Sequence, residues 1–72
     1  MVDEKYILRV AALMLERYGP AARAHAEFRA DHLACEGEPQ AAMTWRFVMR
    51  RIDELVRDQA RTAREVRRSA AS

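Results

Sequence analysis

The chain has 72 residues, enough for one domain with a small core, and its 13 basic and 11 acidic side chains leave a formal net charge of +2. Its single cysteine, Cys35, excludes a disulfide within the chain and favours a reducing compartment. The sequence contains no run of roughly 18–20 apolar residues and no apolar signal sequence, so we expect a cytoplasmic protein without a membrane partner.

Two short breaks divide the sequence into three helical segments. Gly19-Pro20 and Gly37-Glu38-Pro39 each combine a glycine, which suits a helix end, with a proline, which suits the first turn of the next helix. No alternation with a period of two residues indicates a strand. The sequence therefore predicts an all-α three-helix bundle with helices at about residues 3–18, 20–36 and 39 to the mid-sixties.

The first helix carries one apolar stripe and a second, smaller apolar group. The stripe follows the spacing of a core face and consists of Ile7, Val10, Ala11, Met14 and Tyr18. Val2, Tyr6 and Leu13 lie off this stripe but cluster with one another at about 100° per residue. They are either singly exposed residues, which are common, or a second contact surface.

The second helix is rich in alanine. Its larger apolar residues, Phe28 and Leu33, mark different faces. Small side chains allow close approach of a neighbouring helix but bury little area each. We therefore expect this helix to be held between the other two.

The third helix has the strongest apolar stripe, formed by Trp45, Val48, Met49, Ile52, Leu55 and Val56. We expect Trp45 to anchor the core against the first two helices, with Met43 and Phe47 off the stripe. The helix should be roughly 40 Å long, against roughly 24 Å for the first, so its end should overhang the body. We assign residues 1–57 to a three-helix domain and residues 58–72 to a basic helical extension with a frayed tail.

Six arginines follow one side of the third helix: Arg46, Arg50, Arg57, Arg61, Arg64 and Arg68. Residues 57–72 carry a net charge of +3, and residues 1–56 carry −1. This pattern is the best signal for a nucleic-acid partner, but no aromatic residue interleaves with it to stack on bases. The other interpretation is a solvated face, with ion pairs such as Asp53–Arg57 and Asp58–Arg61.

The remaining reactive side chains do not form a convincing site. His25 and His32 are roughly 10 Å apart along a helix, so they and Cys35 would not converge on one metal ion. Cys35 and His32 lack a third group that would orient a base, and no glycine-rich phosphate loop is present. We therefore expect no metal, no cofactor, no small-molecule substrate and no enzymatic activity.

Several short runs occur in a characteristic order: Ala11-Ala12-Leu13-Met14-Leu15, Tyr18-Gly19, Arg29-Ala30-Asp31, Gly37, Ala41-Ala42-Met43-Thr44-Trp45 and Ile52-Asp53-Glu54-Leu55. In order and spacing, this sequence resembles a family of short proteobacterial proteins classed as a domain of unknown function. The resemblance covers about residues 8–57 and leaves the basic extension outside. It implies a bacterial protein, but it brings no activity, ligand or catalytic residue.

Two functions remain open at this point. The first is a protein–protein interaction module, with the chain itself as one possible partner in a homodimer. Its candidate interface consists of Val2, Tyr6, Leu13, Met43 and Phe47, since aromatic residues and methionine surrounded by charge are typical of interfaces. The alternative is a nucleic-acid-associated accessory protein that uses the arginines of helix three.

Overall fold

The computed structural model describes residues 3–71, and all of these except Asp3, Glu36, Gly37 and Glu38 are helical. Helix α1 spans Glu4–Tyr18, a 3-10 turn spans Gly19–Ala21, helix α2 spans Ala22–Cys35 and helix α3 spans Pro39–Ala71. No strand occurs in this part of the chain. The prediction of an all-α protein is confirmed, although α3 continues past the mid-sixties, where the sequence predicted its end.

Helix α1 is capped at both ends. The carboxylate of Asp3 accepts a hydrogen bond of 3.0 Å from the backbone N–H of Lys5, which satisfies a free donor of the first turn. At the other end, Gly19 has a φ of 54° and donates its N–H to the carbonyl of Leu15. Pro20 then occupies the first turn of the 3-10 segment. The chain therefore bends at Gly19-Pro20 as predicted, but it stays helical through the bend.

A tight turn at residues 36–38 reverses the chain between α2 and α3. Gly37 has a φ of 77°, and Glu38 donates its N–H to the carbonyl of Leu33 at 2.9 Å. The positive φ is why a glycine occupies this position. The two helices then run antiparallel, and at their far end Arg23 Nε lies 3.0 Å from a carboxylate oxygen of Asp53.

Helix α3 supports both of the other helices. Helices α1 and α2 each pack along α3 but contact each other little. Because the 3-10 turn leaves no non-helical residue between α1 and α2, the helical residues form two uninterrupted stretches, 4–35 and 39–71. The prediction of a three-helix bundle is therefore wrong. All three helices contribute to one small core, but α1 and α2 contact each other little, so the side between them is open, whereas a bundle closes on every side.

The core is small and consists mostly of alanine. Its buried apolar residues are Ala11, Ala22, Ala26, Ala30, Ala42, Val48 and Ile52. Half-buried residues pack around it, among them Ile7, Met14, Trp45 and Met49. The alanines let the backbones of α2 and α3 approach closely, so α2 is held against α3 rather than between two helices.

The C-terminal half of α3 extends away from the body. Every residue from Val56 to Ala70 is exposed, and the molecule measures 55 × 23 × 15 Å. A helix of 33 residues is about 50 Å long, so α3 alone accounts for the long dimension. No helix within residues 3–71 combines the length and apolar character needed to cross a bilayer.

Candidate protein-binding surfaces

The structure separates the five candidate interface residues into two groups. Tyr6 and Leu13 on α1 expose 59% and 55% of their surfaces, and Met43 and Phe47 on α3 expose 58% and 44%. Leu13 lies on a different surface from Met43 and Phe47, because it lines a cleft between α1 and α2, whereas they line a groove between α1 and α3. Tyr6 lines neither. Val2 lies outside the described residues.

The first surface, which we call the aromatic cleft, lies on the open side between α1 and α2. It is an open depression with a volume of about 500 Å³, lined by Val10, Leu13, Met14, Arg17, Tyr18, His25, Phe28, Arg29 and Trp45. Within this lining the ring of Tyr18 stacks on His25, with a centroid distance of 4.0 Å. The cleft exists because α1 and α2 contact each other little, so the side chains between them remain accessible.

The polar groups of the aromatic cleft all belong to basic or neutral residues. Its lining includes Arg17, His25 and Arg29 but no carboxylate. The guanidinium of Arg29 lies over the ring of Trp45, 5.3 Å from the centroid, which is within the range of a cation–π contact. The cleft therefore combines exposed apolar side chains with an excess of positive charge.

The second surface, the mixed-charge groove, lies between the N-terminal parts of α1 and α3. Its larger apolar side chains are Ile7, Met43 and Phe47, and its charged side chains are Glu4, Arg50, Arg51 and Glu54. Arg51 makes ion pairs with Glu54 at 2.7 Å and with Glu4 at 3.3 Å. The hydrogen bond to Glu54 raises the pKa of Arg51. The groove thus carries both signs of charge next to apolar residues.

The third surface, the arginine face, follows the outer side of α3. It contains the six predicted residues, Arg46, Arg50, Arg57, Arg61, Arg64 and Arg68, all of them exposed. Within residues 3–71, Arg61 is the one member that forms an ion pair, at 3.0 Å from Asp58. The predicted Asp58–Arg61 pair is confirmed, and the predicted Asp53–Arg57 pair is wrong because Asp53 binds Arg23 on α2.

The mixed-charge groove and the arginine face are continuous. Eight residues of α3 share one side of the helix, because they are separated alternately by four and three positions. They are residues 43, 47, 50, 54, 57, 61, 64 and 68. Glu54 borders both surfaces. The apolar residues and the arginines that the sequence analysis assigned to competing functions therefore occupy one side of one helix.

Comparison with known proteins provides no identification. No family model matches the chain, and neither a curated protein nor a solved structure matches it. The resemblance to short proteobacterial proteins of unknown function, at about residues 8–57, stays a hypothesis.

The aromatic cleft also contains residues that the sequence analysis placed elsewhere. Tyr18 was assigned to the core stripe of α1 and Phe28 to one of two faces of α2, and both are exposed. Their position on either side of Gly19-Pro20 is the signal that could have identified them, since a bend there brings the end of α1 close to α2. On the same helix Asp31 is exposed, and Arg29 contacts the ring of Trp45.

The residues weighed as metal ligands are spread along α2. No group of three or more histidine, cysteine or acidic side chains within residues 3–71 is placed to hold an ion. His32 Nε2 lies 3.1 Å from a carboxylate oxygen of Glu36, and Cys35 is exposed. His25 is directed instead into the aromatic cleft, where it stacks on Tyr18.

Proposed function

We propose that this protein is a non-enzymatic protein-interaction module that associates with a second copy of itself. The observation that carries the proposal is the size of the core. Among the described residues, Val48 and Ile52 are the only fully buried side chains larger than alanine. Since buried apolar area is the main source of stability and a chain of this length has little of it, association supplies burial that one copy lacks.

The mixed-charge groove is the surface that best fits a second copy. A two-fold axis places the same patch of both copies face to face, so the patch must complement itself. Met43 and Phe47 supply apolar anchors that can pack against their equivalents. Arg50 of one copy can face Glu4 or Glu54 of the other, because the groove carries charges of both signs.

Sedimentation velocity at micromolar concentration tests this proposal. The unchanged protein should sediment as a dimer, and Phe47→Glu should shift it to monomer, because a charge would be placed within the apolar contact. Val66→Glu is the matched control: Val66 is an exposed apolar residue of the same helix, but it lies on the extension. A monomer at all concentrations, or equal effects of the two variants, would contradict the proposal.

The lone cysteine supports a reducing compartment, and we propose the cytoplasm as the location of this module. Its resemblance to short proteobacterial proteins supports a bacterial source. Neither proposal bears on which surface binds the partner.

A second candidate function is supported by the arginine face. Among residues 3–71, five of its six arginines lack an ion pair, so their charges are available to phosphates along about 33 Å of helix. The alternative function is therefore that of a nucleic-acid-associated accessory protein. It requires no base recognition, because phosphate contacts alone provide non-specific binding.

The salt dependence of binding separates the two functions. If the arginine face binds duplex DNA, replacing Arg57 and Arg64 with glutamine should lower the slope of log affinity against log salt by about 2. Fluorescence anisotropy of a labelled duplex measures this slope. Binding that is absent at low salt would exclude the alternative, while the dimer would be unaffected.

A further inference from the structure

The aromatic cleft differs from the mixed-charge groove in one decisive respect. Its walls expose Leu13 and Phe28 above the half-buried ring of Trp45. Its charged groups are Arg17 and Arg29, and no carboxylate lines it. A surface of this kind does not complement itself.

We propose that the aromatic cleft binds an acidic polypeptide segment that carries large apolar side chains. An apolar side chain of the segment packs between Leu13 and Phe28, against Trp45. Carboxylates that flank it pair with Arg17 and Arg29. The inference rests on the proposed function in that the partner is a protein, but it concerns a different surface and a different partner.

The size of the cleft agrees with such a ligand. About 500 Å³ lies within the roughly 300–1,000 Å³ typical of binding pockets, which is enough for one or two large side chains. Aromatic residues and arginine are also the residue types that most often dominate binding energy at interfaces. The exposed position of Leu13 and Phe28 means that a ligand removes apolar surface from water without first opening the fold.

Charge complementarity argues against the other occupants. A second copy in this position would place Arg17 and Arg29 against the same two residues, and like charges brought together at an interface are costly. A single-stranded nucleic acid would need accessible ring faces on which to stack its bases. The rings of the cleft are already engaged, since Tyr18 stacks on His25, Phe28 stacks on His32 and Arg29 lies over Trp45. The rest of the wall is aliphatic and consists of Val10, Leu13 and Met14. An acidic segment with apolar side chains satisfies both the charges and the aliphatic wall.

The single tryptophan of the chain makes occupancy measurable in the full-length protein. The probes are three synthetic helical peptides: one with leucine on one face and glutamate on the other, a second with lysine in place of glutamate, and a third with serine in place of leucine. Titration of the leucine–glutamate peptide should produce a saturable change in Trp45 fluorescence. The lysine and serine peptides should bind at least about tenfold more weakly, because each lacks one of the two required contacts.

Amino-acid substitutions test whether the change in Trp45 fluorescence arises from binding at the aromatic cleft. Leu13→Glu and Arg17→Glu should each weaken binding of the leucine–glutamate peptide by about tenfold or more. Both residues are exposed, so the fold should persist, and an unchanged circular dichroism spectrum checks this. Phe47→Glu, in the mixed-charge groove, is the matched control and should bind the peptide as the unchanged protein does, even if it no longer dimerises.

Three results would overturn this proposal. One is the absence of a saturable signal with the leucine–glutamate peptide, and another is equal or tighter binding of the lysine peptide. The third is dissociation of a dimer by Leu13→Glu rather than by Phe47→Glu, which would place a second copy in the cleft. Because peptide binding and dimerisation are tested by different variants, the failure of one proposal is distinguishable from the failure of the other.

Discussion

Trp45 illustrates how a large side chain can contribute to packing without being buried. Its ring packs on the core but remains partly accessible, with the guanidinium of Arg29 over it. The expectation that Trp45 anchors the core against both other helices is only partly met, because the open side between α1 and α2 exposes one part of the ring. The fully buried large side chains are instead Val48 and Ile52 of α3.

We predict that Ile52→Ala destabilises the fold more than Trp45→Ala does. Ile52 is 1% exposed, so its truncation leaves a cavity and should cost about 2–5 kcal/mol. Truncation of a fully buried aromatic residue to alanine costs about 3–5 kcal/mol. Trp45→Ala should cost less than this, because the ring of Trp45 is only half-buried. Urea unfolding followed by circular dichroism measures both, with Val66→Ala as an exposed control. A larger loss for Trp45→Ala would show that the tryptophan is the main core residue.

At the scale of single elements, α3 has two parts that differ in their role. Its first half carries the core residues and the partners of α1 and α2, whereas residues 57–70 are exposed on every side. The extension is nevertheless helical, because it combines good helix formers with the Asp58–Arg61 ion pair at 3.0 Å. It is the continuity of α3, rather than packing, that holds the extension in place.

Removing residues 61–72 should therefore have little effect on the stability of the body. We expect the free energy of unfolding to change by no more than about 0.5 kcal/mol, the usual range for surface changes. Thermal unfolding followed by circular dichroism checks this expectation. The same measurement tests the assignment of residues 1–57 as a separate domain, and a large loss of stability would contradict that assignment.

The turn between α2 and α3 depends on one backbone conformation. Gly37 has a φ of 77°, and a Cβ added there would meet no atom within 4 Å. Gly37→Ala should therefore destabilise the fold by about 1–2 kcal/mol through backbone strain alone. Gly37→Asn should cost less, since asparagine tolerates a positive φ. Equal losses for the two variants in chemical denaturation would contradict this explanation.

At the scale of the whole molecule, the dominant feature is an elongated shape with little interior. Two helices lie along a third that is longer than both, and the large apolar residues are distributed over the surface: Tyr6, Leu8, Leu13, Tyr18, Phe28, Met43, Phe47, Val56 and Val66. Single exposed apolar residues are ordinary, but here several are grouped into a groove and a cleft. This distribution is the basis of both proposed interfaces.

If the chain dimerises through the mixed-charge groove, its melting temperature should rise with protein concentration. Association stabilises the folded state by mass action, provided that the unfolded chain does not associate. Differential scanning calorimetry over a wide range of concentrations provides the measurement, and Phe47→Glu should abolish the dependence. A melting temperature that is independent of concentration in the unchanged protein would contradict self-association.

The sequence by itself determined the helices and their breaks. Gly19-Pro20 and Gly37-Glu38-Pro39 mark the bends correctly, because the conformational preferences of glycine and proline act locally. Helical periodicity also identified Met43, Phe47 and the arginines as residues off the core stripe of α3, since positions on one helix depend only on spacing along the chain.

Only the tertiary structure decided how these faces meet. Whether α1 and α2 pack against each other depends on the angle of the bend at Gly19-Pro20, which no local pattern specifies. That angle leaves the side between them open, exposes Tyr18 and Phe28, and separates Leu13 from Phe47. A three-helix bundle, a single interface and a buried Trp45 were expected because apolar residues were assumed to pack inside one chain. The alanine-rich face of α2 instead packs mainly on α3, with Ala11 of α1, and its small side chains leave larger apolar residues exposed.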